Sequence, residues 1–204
     1  MSEKETREKI HRIAMQEFQE KGFKGASLRN IVKEAGVTTG AFYGYYKSKE
    51  ELFEALVGPI AEYFLKHYDD IQKNFNTLSP EEQVALMGSY SERYAKDGME
   101  YAYKHLPQMK LLLTSAAGTR YENFLHELVE KEIESTHNFM KFMVKAGMPA
   151  PNINTIFEHT ITSGMYNSFF ELIVHDVPFE EAMKCAMEIT KFYQAGWSAY
   201  MGLE

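Results

Sequence analysis

Two Glu-x-x-His motifs are the residues of this sequence whose spacing could support metal chemistry. They run from Glu8 to His11 and from Glu134 to His137. Helical carboxylate enzymes use two such motifs, with further glutamates, to hold paired metal ions in one bundle core. We do not expect these two motifs to share a core, because the first belongs to a small N-terminal group of helices.

No other pattern in the sequence is typical of catalysis. The remaining histidines show no zinc-ligand spacing, and no glycine-rich phosphate loop occurs. We therefore expect no catalytic residue, no metal and no cofactor, and the chain is not expected to be an enzyme. An enzyme stays an alternative that would require bound metal.

The composition is that of an ordinary globular protein. Hydrophobic residues make up 45% of the chain and charged residues 25%. No apolar run approaches the ~20 residues of a membrane span, and the charged N-terminus lacks the apolar core of a signal peptide. The single cysteine, Cys185, excludes an internal disulfide. These features predict a cytoplasmic protein that does not bind membranes.

The stretch from Gly36 to Leu52, GVTTGAFYGYYKSKEEL, is polar and rich in aromatic residues. Gly36 can adopt the left-handed backbone that closes a helix, and Thr38 can cap a short helix after it. Ser48 can cap the following helix, with Glu51 reaching back to the amide of the capping residue. Such a short helix has little apolar surface to bury. It is suited to presentation to a partner, and DNA is the first candidate.

Two amphipathic helices precede this stretch. Their apolar faces are Ile10, Ile13, Ala14 and Phe18, and then Leu28, Ile31, Val32 and Ala35 behind the cap residue Ser27. Helix, helix, glycine turn and short helix make up a helix-turn-helix arrangement. Basic side chains outnumber acidic ones in the first 50 residues, although the whole chain carries a net charge of −7. The excess is modest, but a basic end on an acidic body is typical of a protein that meets phosphate there.

The remaining sequence is helical almost throughout, with breaks at glycine, proline and capping residues. We predict an all-α fold of about nine helices. It comprises a three-helix helix-turn-helix DNA-binding domain at 1–50 and a helical ligand-binding and dimerisation domain at 51–204. The last two helices are apolar on more than one side, which favours a homodimer in which each subunit adds two helices to a four-helix bundle. A large monomeric core is the alternative.

The N-terminal quarter resembles the DNA-binding domain of TetR-family transcriptional regulators. The resemblance is carried by Ala26-Ser27-Leu28-Arg29-Asn30-Ile31 and by Gly36-Val37, Thr38, Tyr43, Tyr46, Ser48-Lys49 and Leu52. It implies a homodimeric, sequence-specific regulator of transcription. We expect a repressor that a small, largely apolar or aromatic effector releases from a palindromic double-stranded DNA operator. A DNA-associated regulator controlled by a protein partner, or without a small-molecule effector, is the alternative.

Position in the motif assigns roles to the DNA-binding candidates. The N-terminal residues of a recognition helix meet base edges in the major groove. The resemblance implies that Arg29 contacts a guanine. It also implies that Ser27 and Lys49, both near helix N-termini, contact phosphates. The candidates are Ser27, Arg29, Thr38, Thr39, Gly40, Tyr43, Tyr45 and Lys49. Ser27 and Thr38 could equally be plain helix caps. Ala41 and Gly44 depart from the family pattern and remove two possible contacts.

The effector and dimer candidates follow from composition and helical spacing. A wall of methionine and aromatic side chains suits an adaptable apolar pocket, although the same stripe is typical of an ordinary core. The effector-binding candidates are Met87, Tyr90, Tyr94, Tyr103, His105, Met109, Phe124, Phe157, Met165 and Tyr166. The dimer-interface candidates are Phe169, Ile173, Met187, Tyr193, Trp197 and Tyr200.

Overall fold

The structure is a computed structural model that describes residues 2–148 and 150–203. Within these residues it contains nine α-helices and no strand, which confirms the all-α prediction of about nine helices. The helices are α1 (Glu3–Gly25), α2 (Leu28–Glu34), α3 (Thr39–Tyr43), α4 (Lys49–Phe75), α5 (Pro80–Lys104), α6 (Leu106–Ser115), α7 (Phe124–Lys145), α8 (Thr155–Val174) and α9 (Phe179–Met201).

Local sequence explains where the N-terminal helices begin and end. The hydroxyls of Ser27 and Thr38 accept hydrogen bonds from backbone amides inside the first turns of α2 and α3. Gly36 has φ of 63°, the left-handed value that ends α2. Gly22 also has a positive φ, 66°, and interrupts the regular geometry of α1 before its last turn. The buried Phe23 follows directly, so this break turns its ring into the core.

The chain divides into two compact units. The first unit comprises Met1–Tyr63 and His105–Phe124, and the second comprises Phe64–Lys104 and Leu125–Glu204. This division differs from the expected boundary at residue 50, because α6 packs against α1 and the first half of α4 belongs with them.

The core of the first unit is a cluster of phenylalanines. The Phe53 ring lies 5.1 Å from that of Phe18 and 5.3 Å from that of Phe23, both in edge-to-face geometry. Phe18 and Phe53 have no accessible surface.

In the second unit α9 packs against α5 and α8. Phe75, Phe139 and Met143 form a small buried cluster there. None of the described helices is long and apolar enough to span a membrane.

Candidate nucleic-acid interface and effector cavity

The short helix α3 is held by two aromatic side chains and exposes the rest. Phe42 is fully buried, and Tyr46 is buried with its ring 5.9 Å from that of Phe42. The Tyr46 hydroxyl shares a hydrogen bond with Nε2 of His11 on α1. Burial, reinforced by the positive charge of Arg7, lowers the pKa of His11 and favours the neutral imidazole. These contacts fix the orientation of α3 on the first unit.

A buried carboxylate organises the junction between α1 and α2. Oε1 of Glu17 accepts hydrogen bonds from the Ser27 amide at 3.0 Å and from Nζ of Lys21 at 2.7 Å. Oε2 accepts from Nδ2 of Asn30 at 2.6 Å. Burial alone would raise the pKa of Glu17, but the donors from Lys21, Ser27 and Asn30 outweigh it and lower the pKa. The junction that positions Ser27 and Arg29 is therefore built on an ionised side chain.

Lys49 at the start of α4 is engaged within the first unit. Its Nζ donates to the carbonyls of Phe23 at 2.7 Å and Ala26 at 3.0 Å, and lies 4.4 Å from the centre of the Phe23 ring. Two of the three ammonium protons are thus committed to the end of α1. Next to it, the Ser48 hydroxyl caps α4 as expected. The Glu51 carboxylate accepts from the amide of Lys47 rather than that of Ser48.

The second unit contains a cavity of about 180 Å³. Its wall is formed by residues of α4, α5, α7, α8 and α9, all within the second unit. Aromatic and methionine side chains dominate the wall, which is typical of sites for apolar ligands.

Among the described residues of the cavity wall, one side chain is acidic, that of Glu132 on α7. The Tyr166 hydroxyl donates to its Oε2 at 3.2 Å. Burial raises the pKa of Glu132, although Tyr68 and Tyr166 offer hydrogen bonds that oppose this rise. Burial also raises the pKa of both tyrosines well above the ordinary value. The tyrosine hydroxyls therefore act as donors to a poorly solvated carboxyl.

Comparison with known proteins identifies the first unit. Residues 10–56 match the family model of bacterial regulatory proteins of the tetR family. Residues 10–56 therefore form a helix-turn-helix DNA-binding domain of the tetR-family type. The curated relatives that the chain matches are helix-turn-helix transcriptional regulators and not enzymes.

Two relatives illustrate how far the sequence similarity to TetR-family and other helix-turn-helix regulators extends. The Probable HTH-type transcriptional regulator YttP of Bacillus subtilis (strain 168) is 27% identical over 141 residues, which cover 66% of this chain and 68% of that protein. An HTH-type transcriptional regulator of Staphylococcus aureus (strain USA300) is 30% identical over 83 residues, 41% of this chain and 45% of that protein. The matched part is thus less than half of the second relative.

Solved TetR-family structures share the whole fold at low identity. PfmR from Thermus thermophilus superimposes with a TM-score of 0.59 at 15% identity, over 90% of this chain and 96% of that chain. FadR from Bacillus subtilis, solved in complex with stearoyl-CoA, gives 0.54 at 13% identity, over 91% of this chain and 96% of that chain.

All eight DNA-binding candidates lie in the first unit, around α2, α3 and the start of α4. Six are exposed, and Tyr45 and Lys49 are partly buried. The Tyr43 side chain on α3 is 52% exposed. The hydroxyls of Ser27 and Thr38 are engaged as helix caps, so their capping role is present whatever else they contact. The exposed six are Ser27, Arg29, Thr38, Thr39, Gly40 and Tyr43.

The effector candidates divide into two groups. Five line the cavity, namely Met87, Tyr90, Tyr94, Met165 and Tyr166. The other five lie outside the described lining, namely Tyr103, His105, Met109, Phe124 and Phe157. Their placement explains this. The Tyr103 hydroxyl donates to the carbonyl of Val177 at 2.6 Å, three others belong to the first unit, and the Phe157 ring stacks on Tyr200 at 4.9 Å.

Glu17 and Glu132 were not among the candidates, although both carry a sequence signal. Glu17 falls seven residues after Ile10 on the apolar face of α1, and Glu132 four residues after Leu128 on that of α7. An acidic residue at a buried helical position requires a partner or a function.

The dimer candidates also occupy different environments. Phe169, Tyr193 and Trp197 line the cavity, and Met187 is partly buried. Ile173 has no accessible surface in the single chain, whereas Tyr200 is 42% exposed. Beside Tyr200, the residues Phe192, Ala195, Gly196 and Ala199 form an exposed apolar stripe on α9.

The two Glu-x-x-His motifs lie in different units, Glu8 to His11 in the first and Glu134 to His137 in the second. His137 instead pairs with the buried Glu158 at 2.9 Å. Among the described residues, the one group of three ligand side chains close enough to hold a metal ion is His126, Glu130 and His159, all exposed.

Proposed function

We propose that this protein is a regulator of the TetR type, a homodimeric repressor active in the cytoplasm that a small apolar or aromatic molecule releases from a palindromic operator. The observation that carries the proposal is the cavity of about 180 Å³ in the second unit. A regulator without a small-molecule effector has no need of unfilled apolar volume, because a void forfeits packing energy. The stearoyl-CoA bound in the FadR structure supports a ligand-controlled mechanism.

The exposed surface of α3 supports base reading. Thr39 and Gly40 stand at its N-terminal end, and Tyr43 points its half-exposed ring outward from the last turn. A threonine methyl can contact a thymine methyl, and Gly40 allows close approach of the backbone. Arg29 on α2 is exposed and can reach a guanine or a phosphate. Ser27 and Lys49 would add backbone contacts that set the register.

The α9 stripe supports the homodimer. An isologous interface requires a self-complementary apolar patch, and Phe192 is 75% exposed in the single chain. A Cβ built on Gly196 would meet no atom within 4 Å, so this side of α9 is open to a packing helix. Replacing Phe192 by Asp should give monomers in sedimentation analysis and abolish tight operator binding. A dimer of unchanged affinity would contradict this interface.

Helix α4 supplies a mechanism for release. It begins at Lys49, beside α3 in the chain, and its later residues Tyr68, Ile71 and Phe75 line the cavity. A ligand that prefers one position of these residues would shift the populations of DNA-binding and non-binding states. A ligand with equal affinity for both states would change nothing, however tightly it binds.

Selection from a pool of random DNA duplexes tests the function. We expect the purified chain to enrich a palindrome whose half-site centres are about one DNA turn, ~34 Å, apart. Enrichment of single half-sites, or of no sequence, would overturn the proposed palindromic operator. The alanine variant of Tyr43 should fail to enrich the same site, whereas alanine at the exposed Phe142 of α7 serves as the control.

A further inference from the structure

The cavity wall carries a single formal charge among its described residues. That charge is the carboxylate of Glu132, and the other lining side chains are aromatic, aliphatic, thioether, hydroxyl or amide groups. No described lining residue is a lysine, arginine or histidine. An anionic ligand would therefore meet a like charge and no counter-charge, which disfavours carboxylates and phosphates.

The carboxylate is also incompletely compensated. Its Oε2 accepts a hydrogen bond from Tyr166, and the Tyr68 hydroxyl also interacts with the carboxyl. Burial nevertheless keeps the pKa of Glu132 above its ordinary value, so these donors do not replace the lost hydration. A positive charge beside Glu132 would supply what is missing.

Several aromatic rings line the same cavity as this carboxyl. Tyr68 and Tyr94 meet edge to face at 5.5 Å, and Tyr166 and Phe170 stack at 6.5 Å. All four line the cavity. The face of an aromatic ring attracts a cation within about 6 Å of its centre, and this attraction grows when water is excluded. The Glu132 carboxylate and the aromatic rings therefore both favour a cationic ligand.

We propose that the cavity binds an organic cation, a protonated amine or quaternary ammonium group on an apolar or aromatic body, with Glu132 as its counter-charge. This inference rests on the proposed function only in calling the bound molecule an effector. Binding itself can be measured without DNA.

Trp197 makes the measurement direct. It is the single tryptophan of the chain and lines the cavity, so its fluorescence reports on occupancy. Three probes with one aromatic body differ in charge, namely benzyltrimethylammonium, neutral benzyl methyl sulfone and anionic benzylsulfonate. We expect the full-length chain to bind the ammonium probe at least about 10-fold more tightly than the sulfonate, a ratio equal to about 1.4 kcal/mol.

Matched variants locate the charge that gives this preference. E132Q should remove most of the preference for the cation and leave the affinity for the neutral sulfone within about twofold. E134Q removes the same charge from an exposed position on α7 and should leave the preference unchanged. A95L should weaken all three probes by filling space, because Ala95 lines the cavity.

Two results would overturn the inference. One is a sulfonate that binds as tightly as the ammonium probe, or an ammonium probe that does not bind at millimolar concentration. The other is a preference that E132Q leaves intact or that E134Q also removes. An operator mobility shift separates this from the proposed function. Glu132-dependent cation binding that leaves operator affinity unchanged would uphold the cavity assignment and refute release by such a ligand.

Discussion

Glu17 in the first unit is buried and Glu132 in the second is half-buried at the cavity, and their surroundings differ. Lys21, Ser27 and Asn30 all donate to Glu17, and its pKa is lowered. Glu132 faces a cavity with tyrosine hydroxyls as donors, and burial raises its pKa. The first carboxylate is fully used in holding α1 and α2 together. The second lies at the cavity, where a ligand can reach it.

The two units also differ in how completely their apolar side chains fill the interior. The rings of Phe18, Phe23 and Phe53 interlock in the first unit, whereas the second leaves about 180 Å³ unfilled among its aromatic side chains. A DNA-reading surface must keep its geometry, while a ligand site must keep space. The first unit is therefore packed for rigidity, whereas the second keeps the space that the proposed ligand requires.

Truncation of one phenylalanine in each unit should give the largest contrast. Phe53→Ala removes a side chain with no accessible surface and should lower the free energy of unfolding by about 3–5 kcal/mol. Phe169→Ala removes a partly buried ring that already borders the cavity, so we expect a loss of less than ~2 kcal/mol. Urea denaturation followed by circular dichroism measures both. Equal losses would show that the cavity wall is packed as tightly as the phenylalanine cluster.

The two glutamates should respond oppositely to neutralisation. Glu17→Gln loses an ionic acceptor of three donors and should destabilise the chain by about 1–3 kcal/mol at pH 7. Because the folded pKa of Glu17 is lowered, its contribution is present above the ordinary pKa of 4.5 and is lost as pH falls through the folded value. The difference between wild type and Glu17→Gln should therefore vanish in acid.

For Glu132 the sign is reversed. Its folded pKa is raised, so the wild-type chain loses stability as pH rises from the ordinary value of 4.5 toward the folded pKa. Glu132→Gln should be as stable as wild type, or more stable, at pH 7. Thermal unfolding of both variants between pH 4 and pH 8 measures this contrast. Destabilisation of Glu132→Gln at neutral pH would mean that the carboxylate is a structural group like Glu17.

The same contrast explains what the sequence could and could not predict. The caps at Ser27 and Thr38 and the turn at Gly36 depend on residues within four positions of one another, and the structure contains all three. The cavity instead depends on which side chains five helices bring together. Tyr94 and Met165 meet there, whereas Met109 has the same apolar character and packs in the first unit. Helical spacing identifies a buried face but does not identify what it faces.

Loss of the Tyr43 ring should weaken operator binding without loosening the first unit. The ring is 52% exposed, so Tyr43→Ala removes little packing. We expect operator affinity to fall by about 10-fold, equivalent to ~1.4 kcal/mol, and the unfolding free energy to change by less than ~0.5 kcal/mol. Mobility-shift titration at fixed salt measures the first quantity. Phe42→Ala on the same helix should instead destabilise, because Phe42 is fully buried.

A smaller effect on operator binding is expected at Lys49, which has both a structural and a DNA-binding candidate role. Lys49→Ala leaves the carbonyls of Phe23 and Ala26 without their charged donor, so a stability loss of about 1 kcal/mol is expected. If the remaining ammonium proton meets phosphate, the dependence of log affinity on log salt should also become shallower by about one.

Lys47→Ala is the matched control, because Lys47 is an exposed lysine two residues away. A reduced salt slope for Lys49→Ala that exceeds the change for Lys47→Ala supports a direct phosphate contact. An unchanged slope together with the stability loss would assign Lys49 to holding the end of α1 alone. In that case the Lys49 ammonium group only stabilises the first unit. The phosphate contacts must then come from Arg29, Ser27 and backbone amides.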